Sequence, residues 1–173
     1  MAKEFRDDQG RPWLLALTVE SAKRVKAAVF VTGEDGKSVP FDLIDTATIN
    51  QTITILRSQY LVVGETLCAI LAKQIEERGL TREQFLDGLR GDSLDDAAKA
   101  IEEELIGFFP KSKRKMIALI ASKMEEVQLA MMLQAEAQLE AANVENLLGQ
   151  SGTPSTKRQE LSESILAAGH SAN

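Results

Sequence analysis

Residues 67–115 of the chain read LCAILAKQIEERGLTREQFLDGLRGDSLDDAAKAIEEELIGFFPKSKRK, and this stretch decides the fold class. Gly79 and Gly91 each follow the last apolar residue of a helical pattern, where a left-handed residue ends a helix without a Cβ penalty. Thr81 and Gln84 have the spacing of a capping box at the start of a helix. These signals predict a compact helical unit without catalytic motifs, which we interpret as a surface for holding another protein.

A second helix of this unit is predicted between Asp92 and Pro110. Asp92 and Ser93 supply start signals, and Pro110 ends the pattern. The apolar residues between them recur at three- and four-residue spacings, as on one buried helical face: Leu94, Ala97, Ala98, Ile101, Leu105, Phe108 and Phe109.

The composition is that of a soluble globular protein, with 44% apolar and 27% charged residues among 173. That length suits one domain with an appendage. The longest apolar run, residues 61–72, is interrupted by Glu65 and is too short to span a bilayer. Acidic residues among the first twelve argue against an export signal. We therefore expect a cytoplasmic protein with no transmembrane helix.

Few side chains could hold a metal or a cofactor. Cys68, the single cysteine, lies in an apolar helical pattern, and we expect it to be buried as a small hydrophobic residue. His170, the single histidine, lies near the C-terminus, whereas a metal site needs several ligands together. The acids at 102–104 point in different directions on a helix, and we interpret them as a solvated face. The sequence predicts no metal, no cofactor and no enzymatic activity.

The N-terminal region combines a hairpin and a helix. Residues 3–5 and 13–19 flank a polar, turn-rich connection, which predicts a β-hairpin. Thr18 can cap the helix that follows. Residues 33–38 have the composition of a loop, and residues 39–44 are compatible with a short strand or one helical turn.

Between Ile49 and Ile70 the apolar spacing predicts one buried helix, bent near Gly64 and widened by Leu61 and Val62. The apolar residues that would form its buried seam are spaced alternately four and three positions apart: Ile49, Ile53, Leu56, Tyr60, Val63, Leu67 and Ile70. The alternation of β-branched residues at 52–55 would also fit a strand, but the longer pattern favours the helix.

A long helix is predicted from about residue 112 to about residue 146, because few residues there resist helix formation. Residues 149–155 have the composition of a linker, and residues 161–168 are weakly amphipathic, so the tail is expected to be flexible. The expected architecture is mainly α: a hairpin plus helical domain (1–110), a long C-terminal helix (111–148) and a flexible tail (149–173).

Two groups on the long helix are candidates for partner binding. The first is an apolar stripe, for which core packing is the competing explanation: Met116, Ile120, Met124, Val127 and Met131. The second is a basic turn at the helix start, where positive charge opposes the macrodipole: Lys111, Lys113, Arg114 and Lys115. For this turn, a solvated, solubilising role is the competing explanation.

The order of several segments resembles that of small proteins encoded among the tail genes of long-tailed phages and prophages. The segments are WLLALTV at 13–19, KRVK at 23–26, FDLID at 41–45 and the block that ends in FFP at 108–110. The resemblance covers residues 3–115, and its nearest functional label is tail assembly chaperone. The shared features are patterns of packing and capping.

The resemblance implies a non-enzymatic protein of the host cytoplasm that is absent from the finished virion. It would bind the long helical tape measure protein while tail tube subunits assemble, and its gene could yield a longer frameshifted product. Self-association through the long helix is also possible by sequence. Two alternatives are a structural connector subunit of the virion and a nucleic-acid-binding regulator. The net charge of −6 argues against the regulator.

Overall fold

The computed structural model describes residues 2–33 and 35–149, with side chains as far as residue 139. Its elements, in chain order, are β1 (Lys3–Arg6), β2 (Pro12–Leu15), α1 (Val19–Ala28), β3 (Phe30–Thr32), β4 (Ser38–Pro40), α2 (Ile49–Ser58), α3 (Tyr60–Glu77), α4 (Arg82–Leu86), α5 (Asp92–Phe108) and α6 (Lys111–Gly149). The predicted mainly α fold, with an N-terminal hairpin and a long C-terminal helix, is confirmed.

Contacts divide the chain into two units, Met1–Glu126 and Val127–Asn173. The first unit contains the hairpins, α1 to α5 and the beginning of α6, and the second contains the rest of α6. The predicted division at residues 110 and 148 stays a prediction. The linker and the weakly amphipathic segment predicted beyond residue 149 lie outside the described residues.

The N-terminal hairpin is antiparallel, with Phe5 opposite Trp13 in its register. The alternation of the strands turns Phe5, Trp13 and Leu15 into the core while their neighbours remain exposed. Gly10 adopts a left-handed conformation, with a φ of 74°, in the turn between the strands, where a residue without Cβ costs least. The predicted hairpin is confirmed.

The outer edge of β2 is bound by two side chains, those of Gln74 in α3 and of Arg78, the residue that follows α3. The Gln74 amide accepts from the Leu14 backbone N–H at 3.2 Å and donates to the Leu14 carbonyl at 2.6 Å. One turn later, Arg78 donates to the Pro12 carbonyl at 2.6 Å. The edge opposite β1 is therefore hydrogen-bonded to a helix instead of to a third strand.

Thr18 caps α1 as predicted, in a capping box with Ser21. The buried side of α1 includes Ala22 and Val25. After α1 the chain forms a second antiparallel hairpin, in which β3 pairs with β4 around the predicted loop. The strand alternative for residues 39–44 is therefore confirmed in part, whereas β3 was not predicted from the sequence.

The prediction of one helix from Ile49 to Ile70 is wrong in one respect: the chain breaks at Gln59. The two helices, α2 and α3, are bent by 105° at this residue. Gly64 lies inside α3, where an added Cβ would come within 3.0 Å of Leu86, so this glycine permits close packing of α4. The predicted seam is buried except at Tyr60, and Leu61 is 87% exposed instead of widening it.

Gly79 ends α3 with a φ of 65°. The Gly79 N–H donates to the Glu76 carbonyl and the Leu80 N–H to the Ile75 carbonyl, which is the Schellman arrangement. The Thr81 capping box with Gln84 is also present. These two predictions are confirmed.

Gly91 does not end a helix as predicted. It is the residue before α5, with a φ of 54°, and the short helix α4 has already ended at Leu86. The left-handed conformation at this position turns the chain directly into α5. That helix then ends at Phe108, just before Pro110, as predicted.

The acids at 102–104 are not a solvated face, because each is half-buried and contacts a different element. Glu102 accepts two hydrogen bonds from Arg57 of α2, at 2.6 and 2.7 Å. Glu103 forms an ion pair with Lys3 of β1, and Glu104 accepts from the Leu17 backbone N–H. Because three consecutive residues point in different directions on a helix, they link α5 to α2, to β1 and to the segment before α1.

Candidate partner-binding surface

The structure does not place the predicted methionine stripe on one surface. Ile120 and Met124 are partly buried against the core, whereas Met116, Val127 and Met131 are exposed. The face of α6 that enters the core is centred on Ile117 and Ala121, with Ile120 and Met124 beside them. Core packing, the competing explanation, therefore holds for two of the five predicted residues.

The part of α6 that lies in the second unit is exposed along residues 127–139. We call these residues the apolar segment. Between Glu126 and Glu136 the sequence has no charged residue. Six large apolar side chains of the segment are each more than half exposed: Val127, Leu129, Met131, Met132, Leu133 and Leu139.

Apolar residues surround the helix along this segment instead of forming one stripe. In the sequence VQLAMMLQA of residues 127–135, apolar side chains occur at seven of nine positions. A helix that is apolar on all sides is normally covered by other parts of a protein, and a large exposed apolar patch usually marks an interaction surface. The apolar segment is therefore the strongest candidate for partner binding.

The predicted basic turn is exposed, but one of its members is also part of the fold. Arg114 donates hydrogen bonds to the carbonyls of Gly107 and Phe109, at 2.7 and 3.2 Å. These carbonyls lie at the C-terminal end of α5, where orphan acceptors need donors. Arg114 thus fixes the α5–α6 connection, while Lys111, Lys113 and Lys115 lie in solvent around it.

The buried network around Asp7 was not predicted from the sequence. The carboxylate of Asp7 accepts from the Trp13 indole at 2.9 Å and from the Arg11 guanidinium at 2.5 Å. Burial alone would raise the pKa of Asp7, but these hydrogen bonds outweigh it and hold the pKa below its usual value. Phe85 packs edge-on against the Trp13 ring, with 4.7 Å between the two ring centroids. The guanidinium carbon of Arg78 lies over the face of Trp13, 4.2 Å from the ring centroid.

This network joins the hairpin to the region between α4 and α5. Asp8 donates its backbone N–H to the Gly88 carbonyl, and its carboxylate forms an ion pair with Arg90. A Cβ at Gly88 would approach Arg11 to 2.8 Å. The Asp7 carboxylate has hydrogen-bond donors on both oxygens, whereas the buried Nη2 of Arg11 has no hydrogen-bond partner. We assign the network to stability. The only sequence signal was an acid beside a turn, which is common on protein surfaces.

In the described part of the chain, the side chains that could carry chemistry are dispersed or buried. Cys68 is buried as predicted, and burial raises the pKa of its thiol to about 11. Within the described part of the chain, no three His, Cys, Asp or Glu residues are grouped so as to hold a metal ion. An open cleft of about 380 Å³ between β1 and α5 is lined mainly by charged residues, two of which, Lys3 and Glu103, pair with each other.

Comparisons with known proteins add no relative: no family model, no curated protein and no solved structure matches this chain. Among residues 2–33 and 35–149, no single helix is long and apolar enough to cross a membrane. Taken together, the bent pair α2 and α3 has the length and apolar composition of a membrane-spanning segment.

Proposed function

We propose that this chain is a non-enzymatic tail assembly chaperone of a long-tailed phage or prophage, which binds helical segments of the tape measure protein in the host cytoplasm. The resemblance of residues 3–115 supports the choice of family. The observation that carries the binding function is the apolar segment of α6, with six large apolar side chains more than half exposed.

Such a segment suits a helical client for a physical reason. Two helices that exchange apolar contacts both remove hydrocarbon surface from water, and helix recognition uses side chains at three- and four-residue spacings. Met131 and Met132 add flexible side chains that adapt to different neighbours. The segment can therefore bind successive, non-identical stretches of one long client.

Many copies bound along one client would act together. A weak single contact is sufficient when the next copy binds nearby on the same chain, because the local concentration of sites is high. Weak individual contacts also allow release when tube subunits replace the chaperone. The client remains soluble during assembly because its own apolar faces are covered.

Co-expression with the large helical protein encoded among the same tail genes tests the proposal. We expect the client to capture the full chain in a pull-down. The double variant Leu129→Asp with Leu133→Asp should reduce capture at least about tenfold, because two charges would enter an apolar contact. Gln128→Asp with Gln134→Asp is the matched control, since it adds the same charge and removes no apolar side chain.

Equal capture of both double variants would contradict binding through the apolar segment. Circular dichroism of each variant shows whether the helical fold is intact, so a loss of capture with an unchanged spectrum is attributable to the surface. Recovery of the chain as a stoichiometric component of mature particles would overturn the chaperone and favour the connector subunit.

A further inference from the structure

The two edges of the N-terminal hairpin differ. The outer edge of β2 is hydrogen-bonded to Gln74 and Arg78, whereas the outer edge of β1 borders an open cleft of about 380 Å³. This β1 cleft is lined by all four residues of β1 and by four residues of α5, namely Asp96, Lys99, Ala100 and Glu103. Because no residue of β2 lines it, the cleft lies beside the outer edge of β1, with α5 as its other wall.

The register of the hairpin shows which backbone groups point to this edge. Opposite residues of an antiparallel pair alternate between exchanging two hydrogen bonds and exchanging none. Leu14 uses both its backbone groups for Gln74, on the outer side of β2, so it exchanges none with its partner Glu4. The carbonyl of Pro12 also accepts on the outer side, and Pro12 is opposite Arg6. Glu4 and Arg6 therefore direct their backbone groups away from β2.

Four backbone groups on the β1 edge are consequently available to a partner. They are the N–H and C=O groups of Glu4 and of Arg6, and no residue in the described part of the chain is hydrogen-bonded to them. Both residues are exposed. A strand edge with free donors and acceptors is a template for a further strand, and several protein families bind extended peptides in this way.

The charges on this edge select the sequence of an added strand. Glu4 and Arg6 are on the exposed face of β1, two residues apart, whereas Phe5 is buried on the other face. In an antiparallel third strand, the residue opposite Arg6 comes first and the residue opposite Glu4 comes two positions later. Opposite charges across a strand pair are favourable and like charges are not. The edge therefore fits a segment that reads acid, any residue, base from its N-terminus.

The α5 wall of the cleft accommodates the middle residue of such a segment. That residue would lie opposite Phe5, with its side chain on the α5 side of the sheet. Ala100 lines the cleft there with a small side chain, and Asp96 and Lys99 are exposed beside it. Within the described part of the chain, neither of these two charges forms an ion pair, whereas Glu103 is paired with β1. Small and polar side chains therefore suit the middle position.

We propose that the β1 cleft binds an extended peptide segment of a partner protein, which adds as a third, antiparallel strand and places an acid opposite Arg6 and a base opposite Glu4. Its backbone exchanges four hydrogen bonds with these two residues. The site is separate from the apolar segment of α6 and takes an extended strand instead of a helix, so the inference does not depend on the proposed function.

A second copy of this chain fits the edge less well than a free peptide. Its own Glu4, Phe5 and Arg6 have the required order of charges. However, opposite side chains of an antiparallel pair lie on the same face, so the α5 helices of both copies would lie on one face of the joined strands, beside the cleft. A peptide has no such helix, and its identity as the occupant is tested below against the second copy.

Fluorescence anisotropy of a labelled peptide, Val-Glu-Thr-Lys-Val, titrated with the full chain gives the first test. The same residues with the charges exchanged, Val-Lys-Thr-Glu-Val, form the control. The first peptide should bind roughly tenfold more tightly, because two attractive cross-strand pairs become repulsive in the control. Equal affinities, or no binding of the first peptide at chain concentrations up to about 1 mM, would overturn the proposal.

Charge exchange on the protein should reverse that preference. The double variant Glu4→Arg with Arg6→Glu should bind Val-Lys-Thr-Glu-Val more tightly than Val-Glu-Thr-Lys-Val. Lys73→Glu with Glu77→Lys, which exchanges an exposed ion pair of α3, is the matched control and should keep the preference of the natural chain. Circular dichroism shows whether each variant is folded. An unreversed preference in a folded Glu4 and Arg6 variant would contradict the facing of these charges.

Amide hydrogen exchange resolved by NMR tests the geometry and the occupant together. Val-Glu-Thr-Lys-Val should slow exchange at Glu4 and Arg6, whose N–H groups are free, and change it little at Phe5, whose N–H is directed to β2. Slowing at Phe5 alone would contradict the proposed register. Protection of Glu4 and Arg6 that rises with concentration in the chain alone would show that a second copy covers the edge, and would overturn the peptide as its occupant.

Discussion

Ile117→Ala should destabilise the folded body much more than Met116→Ala, although the two residues are neighbours on α6. Ile117 is fully buried, whereas Met116 is 50% exposed. The pair therefore measures which side of α6 the body covers. The sequence pattern had placed Met116 on the stripe, so the comparison also tests the revised assignment of that stripe.

The size of each change in the free energy of unfolding follows from the buried apolar atoms that the substitution removes. Ile117→Ala removes three buried carbon atoms, at about 0.8 kcal/mol each, and the space left behind adds to the cost. Alanine is the better helix former by roughly 0.4 kcal/mol, which offsets a small part. The free energy of unfolding should fall by about 2–4 kcal/mol for Ile117→Ala and by no more than about 1 kcal/mol for Met116→Ala.

Urea titration followed by tryptophan fluorescence measures both changes, because Trp13 is the single tryptophan and is fully buried in the body. Both variants should retain the slope of the natural protein, so that the midpoints report stability. Equal losses for the two variants, or a larger loss for Met116→Ala, would contradict the burial of Ile117 against the body. Such a result would mean that α6 is rotated about its axis relative to the described structure.

Three further predictions concern single sites in the body. Asp7→Asn should lower the free energy of unfolding by roughly 2–3 kcal/mol, because an amide N–H₂ would face the donors that the carboxylate accepts from. Because the pKa of Asp7 is lowered in the folded state, the stability that its carboxylate contributes is present above the ordinary pKa of 3.8 and is lost as the pH falls through the folded-state pKa. The free energy of unfolding should therefore fall less steeply with acidification in Asp7→Asn than in the natural protein. An unchanged pH dependence would contradict this. Gly79→Ala should lower the free energy of unfolding by about 1 kcal/mol, because its φ of 65° is unfavourable for a residue with a Cβ. Thermal melts measure this loss, and in them Gly107→Ala, in an uncrowded helical position, should leave stability unchanged or raise it. The Cys68 thiol, buried and with a pKa of about 11, should react with a disulfide reagent at pH 8 far more slowly in the folded protein than in urea; equal rates would show that the site opens readily.

The elements predicted correctly from the sequence depend on neighbouring residues. The caps at Thr18 and Thr81 involve hydrogen bonds within three residues, and the ends of helices at Gly79 and Pro110 follow from backbone conformation. Local physics is sufficient for such features. The hairpin at the N-terminus belongs with them, because a short polar turn joins two strands that are adjacent in the sequence.

The features that the sequence did not predict depend on distant residues. The apolar pattern continues without interruption across Gln59, so only the packing of α2 and α3 in the body reveals the bend there. Asp7 resembles any acid beside a turn; the residue that packs against Trp13, the indole donor to its carboxylate, is the distant Phe85.

The candidate site was predicted in part for a related reason. Apolar residues surround much of α6, so periodicity alone admits several stripes. The sequence pattern predicted a stripe that includes Met116, whereas the structure buries the adjacent Ile117 in the core. Only the position of the body against the first turns of α6 distinguishes covered from uncovered residues. The uncharged stretch farther along the helix is visible in sequence, but its exposure is not.

The contacts of Gln74 and Arg78 with β2 bear on the solubility of this chain. An unpaired strand edge is a template on which another molecule can add a strand, and such addition leads to aggregation. Here the backbone groups of Leu14 and Pro12 on that edge are already occupied. Loss of either side chain should therefore appear less as lost stability than as slow, concentration-dependent precipitation through the freed edge of the hairpin.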